Sequence, residues 1–278
     1  MENLTDEKIN ELKITSNNIR KSIIEMLCEA GSGHTAGALG MVEIFSLLYF
    51  AILKHEPKNP LWINRDRLVL SNGHICPVLY ATEAHAGYFP ISELKTLRKL
   101  GSRLQGHPHR EYMPWLETSS GPLGSGLSQA VGMAIADKIN GGDKTIYAIL
   151  SDGEHDEGNT WEAIMLANKE KLSNLIVIVD RNMIQIEGNT EKIMPLGDLK
   201  EKYKNFGWFA QEIDGNNFRE INNAIYNAKK NTESPSVIIA NTIPGKGVKA
   251  WENNYKWHGK APNKEEAEMA LKELGSRN

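Results

Sequence analysis

Two uninterrupted apolar runs, Ile146-Tyr147-Ala148-Ile149-Leu150 and Leu175-Ile176-Val177-Ile178-Val179, constrain this chain more than any other feature. Each is strand-sized and rich in β-branched residues, and neither alternates with polar positions. Strands of that kind are covered on both faces. The stretch between them, Glu157 to Leu172, carries helical spacing, so strand, helix and strand follow one another and imply a right-handed crossover in a parallel sheet. Further strand patterns cover Arg67 to Ser71, Trp208 to Asp214 and Ser236 to Asn241, and the two apolar runs extend to Thr145–Ser151 and Leu175–Asp180. Helical patterns cover Leu4 to Ala30, Gly126 to Ile139, Leu199 to Phe206 and Phe218 to Lys229. The expected fold is α/β, with a central, mostly parallel sheet and helices on both faces. Residues 1–278 are expected to form a single domain, with a long irregular segment from Pro244 to Pro262.

Composition excludes several classes. With 32 basic and 35 acidic residues interspersed, net charge -3, the chain lacks the positive footprint that nucleic acid or an anionic lipid surface selects. No apolar run approaches the ~20 residues of a membrane span. Met1 to Asn10 is polar and acidic, unlike a secretory signal. Cys28 and Cys76 are too few for a disulfide framework or a zinc site. A cytoplasmic protein is expected.

In a parallel α/β sheet, ligands sit at the carboxyl ends of the strands. One apolar run ends in Ser151-Asp152-Gly153-Glu154 and the next in Asp180-Arg181-Asn182. Taken singly, Asp152 reads as a helix N-cap and Asn182 as a turn residue. Taken together, they are one crossover apart, so their oxygens can converge at one sheet edge. A carboxylate, an amide and a backbone carbonyl form an incomplete cage that suits Mg²⁺, with Ca²⁺ or Mn²⁺ as substitutes, if a phosphorylated ligand supplies the rest. Gly153 lets backbone N–H groups approach that phosphate. Four histidines, His34, His74, His107 and His258, are flanked by glycine, which suits a site built from loops. His55, His85 and His109 are expected to be solvated. Gly124-Ser125-Gly126 and Pro244-Gly245-Lys246-Gly247 are decoys, because neither has the spacing of a nucleotide-binding loop.

The segments S-D-G-E-H-D-E-G, W-E-A-I-M-L-A and L-I-V-I-V-D-R-N-M-I-Q-I-E-G resemble the thiamine-diphosphate motif of transketolases. Five further blocks resemble the same family: Gly31 to Met41, Asn64 to His74, Gln105 to Pro108, Thr118 to Ser128 and Trp257 to Pro262. Coverage runs from about residue 20 to 262. The resemblance implies thiamine diphosphate and a metal held by Asp152, Asn182 and the carbonyl of Ile184. It places Gly153 and His74 on the diphosphate and the backbone of Gly121, Pro122 and Leu123 on the aminopyrimidine, with Glu154 and Ile186 completing the cofactor-binding set. His34, His107 and His258 are implied to line the sugar pocket, and Glu157 and Glu162 to be interface carboxylates. Two departures stand out: Ser151 replaces the first glycine of Gly-Asp-Gly, and Thr35-Ala36 stands where proline usually follows the histidine.

The resemblance also implies a partner. The glutamate that activates the aminopyrimidine lies on a pyrimidine-binding domain with no counterpart here, so a C-terminal transketolase subunit is expected, in an α₂β₂ assembly. The reaction implied is transfer of a two-carbon ketol unit from a ketose (phosphate) to an aldose. The α subunit of a 2-oxo acid dehydrogenase and a noncatalytic transketolase-like partner are the alternatives.

Overall fold

The structure, a computed structural model, describes residues 4–276. The outermost ends of the one-domain reading, residues 1–3 and 277–278, lie outside the described residues. The strands are β1 (Arg67–Leu70), β2 (Ile146–Ser151), β3 (Leu175–Arg181), β4 (Ile184–Gln185), β5 (Gly188–Asn189), β6 (Phe209–Asp214) and β7 (Ser236–Asn241). Five form a parallel sheet in the order β1-β2-β3-β7-β6, while β4 and β5 make a small antiparallel hairpin. The α-helices are α1 (Asp6–Ala30), α2 (Ala36–Gly40), α3 (Val42–Leu47), α4 (Cys76–Ala86), α5 (Ser125–Ile139), α6 (Gly158–Lys169), α7 (Thr190–Ile193), α8 (Leu199–Asn205), α9 (Phe218–Lys230) and α10 (Lys264–Gly275).

The continuous apolar runs have the explanation expected of them. Along β2, Tyr147 and Ile149 join one core, while Ile146, Ala148 and Leu150 join the other. β3 divides the same way, with Ile176 and Ile178 on one side and Leu175, Val177 and Val179 on the other. One core is closed by α1, α3, α4, α9 and α10, the second by α5, α6 and α8. Each such side chain, once buried, contributes about 1.5–3 kcal/mol. By contrast β6 is an edge strand and half exposed, and it begins one residue later than its sequence pattern.

Local signals deliver the chain to the sheet edge. Thr5 caps α1 by accepting from Lys8 N–H at 3.1 Å, with Asp6 and Glu7 in the first turn. α1 ends on Gly31 in the left-handed conformation, φ 65°, and so turns directly into His34. Buried Arg20 pairs with Glu43 at 2.6 Å and donates to the carbonyl of Lys246 at 3.0 Å. That ties α1 and α3 to the irregular segment from Pro244, whose only regular turn is Tyr255–Trp257.

Several elements were not anticipated. α2, α3, α4 and the π-type turn Leu48–Ile52 are almost wholly buried, so they lack an amphipathic stripe. α10 carries a capping box between Asn263 and Glu266, a signal that was readable. The expectation that His55 and His85 are solvated fails: His55 bonds Tyr88 Oη at 2.9 Å and the carbonyl of Tyr49 at 2.7 Å, and His85 bonds Ser22 at 3.0 Å. His109 is likewise packed, with its ring 5.0 Å from Tyr112 and its Nδ1 buried.

Glu83 on α4 gives the fold a testable pH dependence. It is 2% exposed and accepts from Tyr49 Oη and Trp115 Nε1, both at 3.2 Å. Burial raises its pKa to about 8, only partly offset by those bonds and by Arg65 and Arg103. A carboxyl raised on folding contributes stability that is fully present below its unfolded value near 4.5 and is lost as pH climbs towards 8. Urea unfolding of the wild type should therefore show a loss of stability between pH 5 and pH 8 that is smaller in Glu83→Gln; equal losses in both proteins would refute the assignment.

Candidate functional site

The tips of β2 and β3 are aligned by register, with Ser151 opposite Asp180. Asp152, 1% exposed, follows the first tip. Its Oδ1 accepts from Gly153 N–H at 2.8 Å, as an N-cap would. Its Oδ2 takes Met183 N–H at 2.9 Å, Arg181 Nη1 at 3.2 Å and Thr190 Oγ1 at 3.4 Å. Burial pushes the Asp152 carboxyl above its usual range, opposed first by Arg181. Arg181 is itself buried and also binds Glu191 at 2.6 Å.

Asn182 is held from both sides. Its Nδ2 donates to Asp180 Oδ2 at 2.7 Å and its Oδ1 accepts from Ile184 N–H at 3.0 Å. Asp180 is fully buried and bonded to the Thr242 hydroxyl; burial raises its carboxyl to about 7. The β4–β5 hairpin then brings Ile184 and Ile186 beside Asp152 in one cleft of about 180 Å³. Among the described residues no three His, Cys, Asp or Glu side chains cluster to hold a metal. An ion here would take Asp152, Asn182, a backbone carbonyl and oxygens of its ligand, a donor set that suits a hard divalent cation.

Three histidines converge on the other side of this cleft. The ring centroids of His34 and His74 are 4.9 Å apart, those of His34 and His258 5.6 Å, and those of His74 and His258 5.4 Å. Thr35 secures the arrangement by donating to the carbonyl of Lys260 at 2.6 Å, a bond that proline could not supply. His74 reaches its place because Gly73 packs on the neighbouring loop: a Cβ there would lie 2.6 Å from Ser120 Oγ and 2.9 Å from Gly121 N. His107 is exposed and stands over Gly121, whose Cβ would meet its ring at 3.3 Å. Burial lowers His34 to about 4 and depresses His74, His107 and His258 as well. Neutral imidazoles both donate and accept, which suits sugar hydroxyls. The Nδ1 atoms of His34 and His258, Gln185 Oε1 and Ser120 Oγ are buried without a partner in the protein. Orphaned polar atoms are costly, so the site fits a polar ligand.

The family model for the transketolase thiamine diphosphate binding domain matches residues 12–278. The chain belongs to the transketolase family. It is 43% identical over 264 residues to a 6-deoxy-6-sulfo-D-fructose transketolase subunit of a Clostridium species, covering 95% of this chain and 96% of the relative. It is 37% identical to a subunit of the apulose-4-phosphate transketolase of Phocaeicola vulgatus, covering 97% and 96%. A solved transketolase from Campylobacter jejuni superposes with TM-score 0.90 at 37% identity; the match covers 96% of this chain and 43% of that one.

Of the residues expected in a transketolase cofactor site, His74, Leu123, Asp152, Gly153, Ile184, Ile186 and His258 line one cleft. His34 joins it through its ring contacts. Asn182 does not line the cleft: it is buried, with its side chain bonded to Asp180 and to Ile184 N–H, and Gly121 and Pro122 stand with His107 on the neighbouring loop. Glu154 does not face the cleft. It is 0% exposed, and its carboxylate accepts from the Ser71 hydroxyl, Gly124 N–H at 2.6 Å and Ser151 N–H at 3.2 Å. Sequence reasoning missed Asp180, Arg181 and His155, which bonds the carbonyls of Ser151 and Asp152 and the Tyr203 hydroxyl. The signal for the first two was charge directly after an apolar run, which has to be paired once the strand is covered. Glu157 and Glu162 are exposed on the start of α6, beside Met165 and Leu166.

Glu154→Ala should expose how much the tip depends on this clamp. It leaves three buried donors without an acceptor, and the expected loss is about 3 kcal/mol. Urea denaturation measures it; a loss below about 1 kcal/mol would show that the three donors find other acceptors.

Proposed function

We propose that this chain is the cofactor-anchoring subunit of a two-chain transketolase, which moves a two-carbon ketol unit from a ketose donor to an aldose acceptor. The observation that carries the reading is the pairing of Asp152 and Asn182 at adjacent strand tips with a triangle of neutral histidines across the same cleft. We read residues 1–278 as one thiamine-diphosphate-binding domain in a cytoplasmic enzyme. Asp152, Asn182 and the carbonyl of Ile184 would hold Mg²⁺; Gly153 and His74 would take the diphosphate, and Gly121 to Leu123 and Ile186 the rings. Glu154 would serve the cofactor indirectly, by fixing Gly124 and Ser151. Thiamine diphosphate supplies, when bound, the electron sink for cleaving a ketose carbon–carbon bond.

The chain's own residues orient and shield. His34, His107 and His258 hold the donor's hydroxyls, and as neutral imidazoles they accept or return hydroxyl protons at nitrogen. The relatives named for sulfofructose and apulose phosphate are both subunits, which supports a separate C-terminal partner; we propose α₂β₂. Exposed Ile186, Met165, Leu166, Ile193 and Met194, together with Glu157 and Glu162, offer that partner an apolar surface with charged spots.

Asp152→Ala should abolish metal-dependent thiamine diphosphate binding, because it removes the only anionic side chain of the donor set. Calorimetry with and without Mg²⁺ measures this, and unchanged affinity would remove the metal assignment. Assembly is tested separately. The isolated chain, given saturating Mg²⁺, thiamine diphosphate and a ketose phosphate, should show no turnover until its partner is added. Robust turnover by the chain alone would refute the split site.

A further inference from the structure

We propose that Arg181 is a positioning residue that makes this cleft take a divalent metal together with a diphosphate rather than alone. It acts through Asp152, and the inference rests on the reading of Asp152 as a metal ligand.

The first observation is the charge of the cleft wall. Asp152, Asp156 and Glu187 line it, and among the described residues no lysine or arginine does. Three carboxylates attract a bare cation and repel the phosphates that the same cleft is read to hold. His74 and His258, also on the wall, are kept neutral chiefly by burial and add no positive charge. A charge that favours a polyanion therefore has to stand behind the wall.

Arg181, the last residue of β3, stands there. It is buried, and its Nη1 lies 3.2 Å from Asp152 Oδ2. It is kept from swinging into the cleft, because Nη2 donates to Glu191 at 2.6 Å and Glu191 is held in turn by the N–H groups of Leu196 and Gly197. Burying a guanidinium is costly, and a neutral side chain of the same size would spare the fold that cost. A cation kept under a ligand carboxylate bears directly on what that carboxylate binds.

The second observation is the inequality of the two Asp152 oxygens. Each offers about two lone pairs. Oδ2 accepts from Met183 N–H at 2.9 Å, Arg181 Nη1 at 3.2 Å and Thr190 Oγ1 at 3.4 Å, whereas Oδ1 accepts from Gly153 N–H at 2.8 Å. Oδ2 is saturated, and Oδ1 keeps a lone pair for a metal. Asp152 is thereby a one-oxygen ligand whose negative charge is already shared with a guanidinium. A bare divalent ion is held less strongly by such a ligand. A diphosphate brings anionic oxygens that the same guanidinium attracts, so Arg181 opposes the ion alone and favours the pair.

The test uses the enzyme assembled with its partner and Mn²⁺ as the probe, with free Mn²⁺ counted by electron paramagnetic resonance. Without thiamine diphosphate, Arg181→Gln should bind Mn²⁺ roughly 10-fold tighter than the wild type, while Arg181→Lys, which keeps the charge, should stay within about 3-fold of it. Calorimetry then measures thiamine diphosphate affinity with and without Mn²⁺. The gain in affinity that Mn²⁺ brings should shrink roughly 10-fold in Arg181→Gln. Bare Mn²⁺ binding no tighter in Arg181→Gln than in the wild type, whether measurable in both or in neither, would overturn the proposal and leave Arg181 a structural brace. Thermal melting identifies misfolding, and Arg181→Met, uncharged and of similar length, gives the same readout should Arg181→Gln not fold. A different result removes the underlying reading: if the wild type binds no Mn²⁺ even with thiamine diphosphate, or Asp152→Ala binds it equally well, the metal assignment falls and this inference with it.

Discussion

A carboxylate cannot stay ionised at the end of a covered strand unless the fold supplies it with donors. Asp152 is placed in that position, and much of the cleft depends on how it is satisfied. Its Oδ2 gathers Met183 N–H, Arg181 and Thr190, all of which lie beyond the tip of β3 or on its last residue. The chain leaving β3 is therefore drawn back over Asp152, and the hairpin that carries Ile184 and Ile186 is formed in the process. Arg181 extends the tie to Glu191, which accepts from Leu196 and Gly197 N–H at 3.1 Å. One buried charge thereby organises the chain at this edge of the sheet as far as Gly197.

Glu154, two residues on, does the same in the opposite direction. Its oxygens reach the tip of β1 at Ser71 and the loop at Gly124, so β1, β2 and the loop after His107 share one acceptor. Asp152 thus binds the cleft to segments later in the chain, and Glu154 to earlier ones. Neither pair of contacts is a surface ion pair, whose worth would be marginal. Both are buried, so loss of either carboxylate strands its donors.

The sheet was readable because strands covered on both faces leave continuous β-branched runs, and β2 and β3 divide their side chains between two cores as that pattern requires. The strand-tip residues were readable from topology alone, since parallel strands end on one edge. The elements that were not legible have physical causes. α2 to α4 are buried all round, so no periodic stripe marks them. The β4–β5 hairpin is two residues a side and is fixed by Asp152, not by its own propensity. Glu154 was placed in the cofactor set by resemblance, and its 83-residue reach to Ser71 has no local signature. Arg181 and Asp180 were visible as a charged tail on an apolar strand, but which partner each takes depends on tertiary contacts.

The histidine side of the cleft obeys a different logic. His34, His74, His107 and His258 come from four distant segments, each next to a glycine, and at Gly73 that glycine lets the backbone approach Ser120 and Gly121. Burial is the first cause that keeps them neutral, and a neutral ring tolerates neighbours about 5 Å away that a cation would repel. The division has a consequence for specificity. A cluster of uncharged imidazoles can distinguish hydroxyl patterns through hydrogen bonds but cannot by itself select an anion.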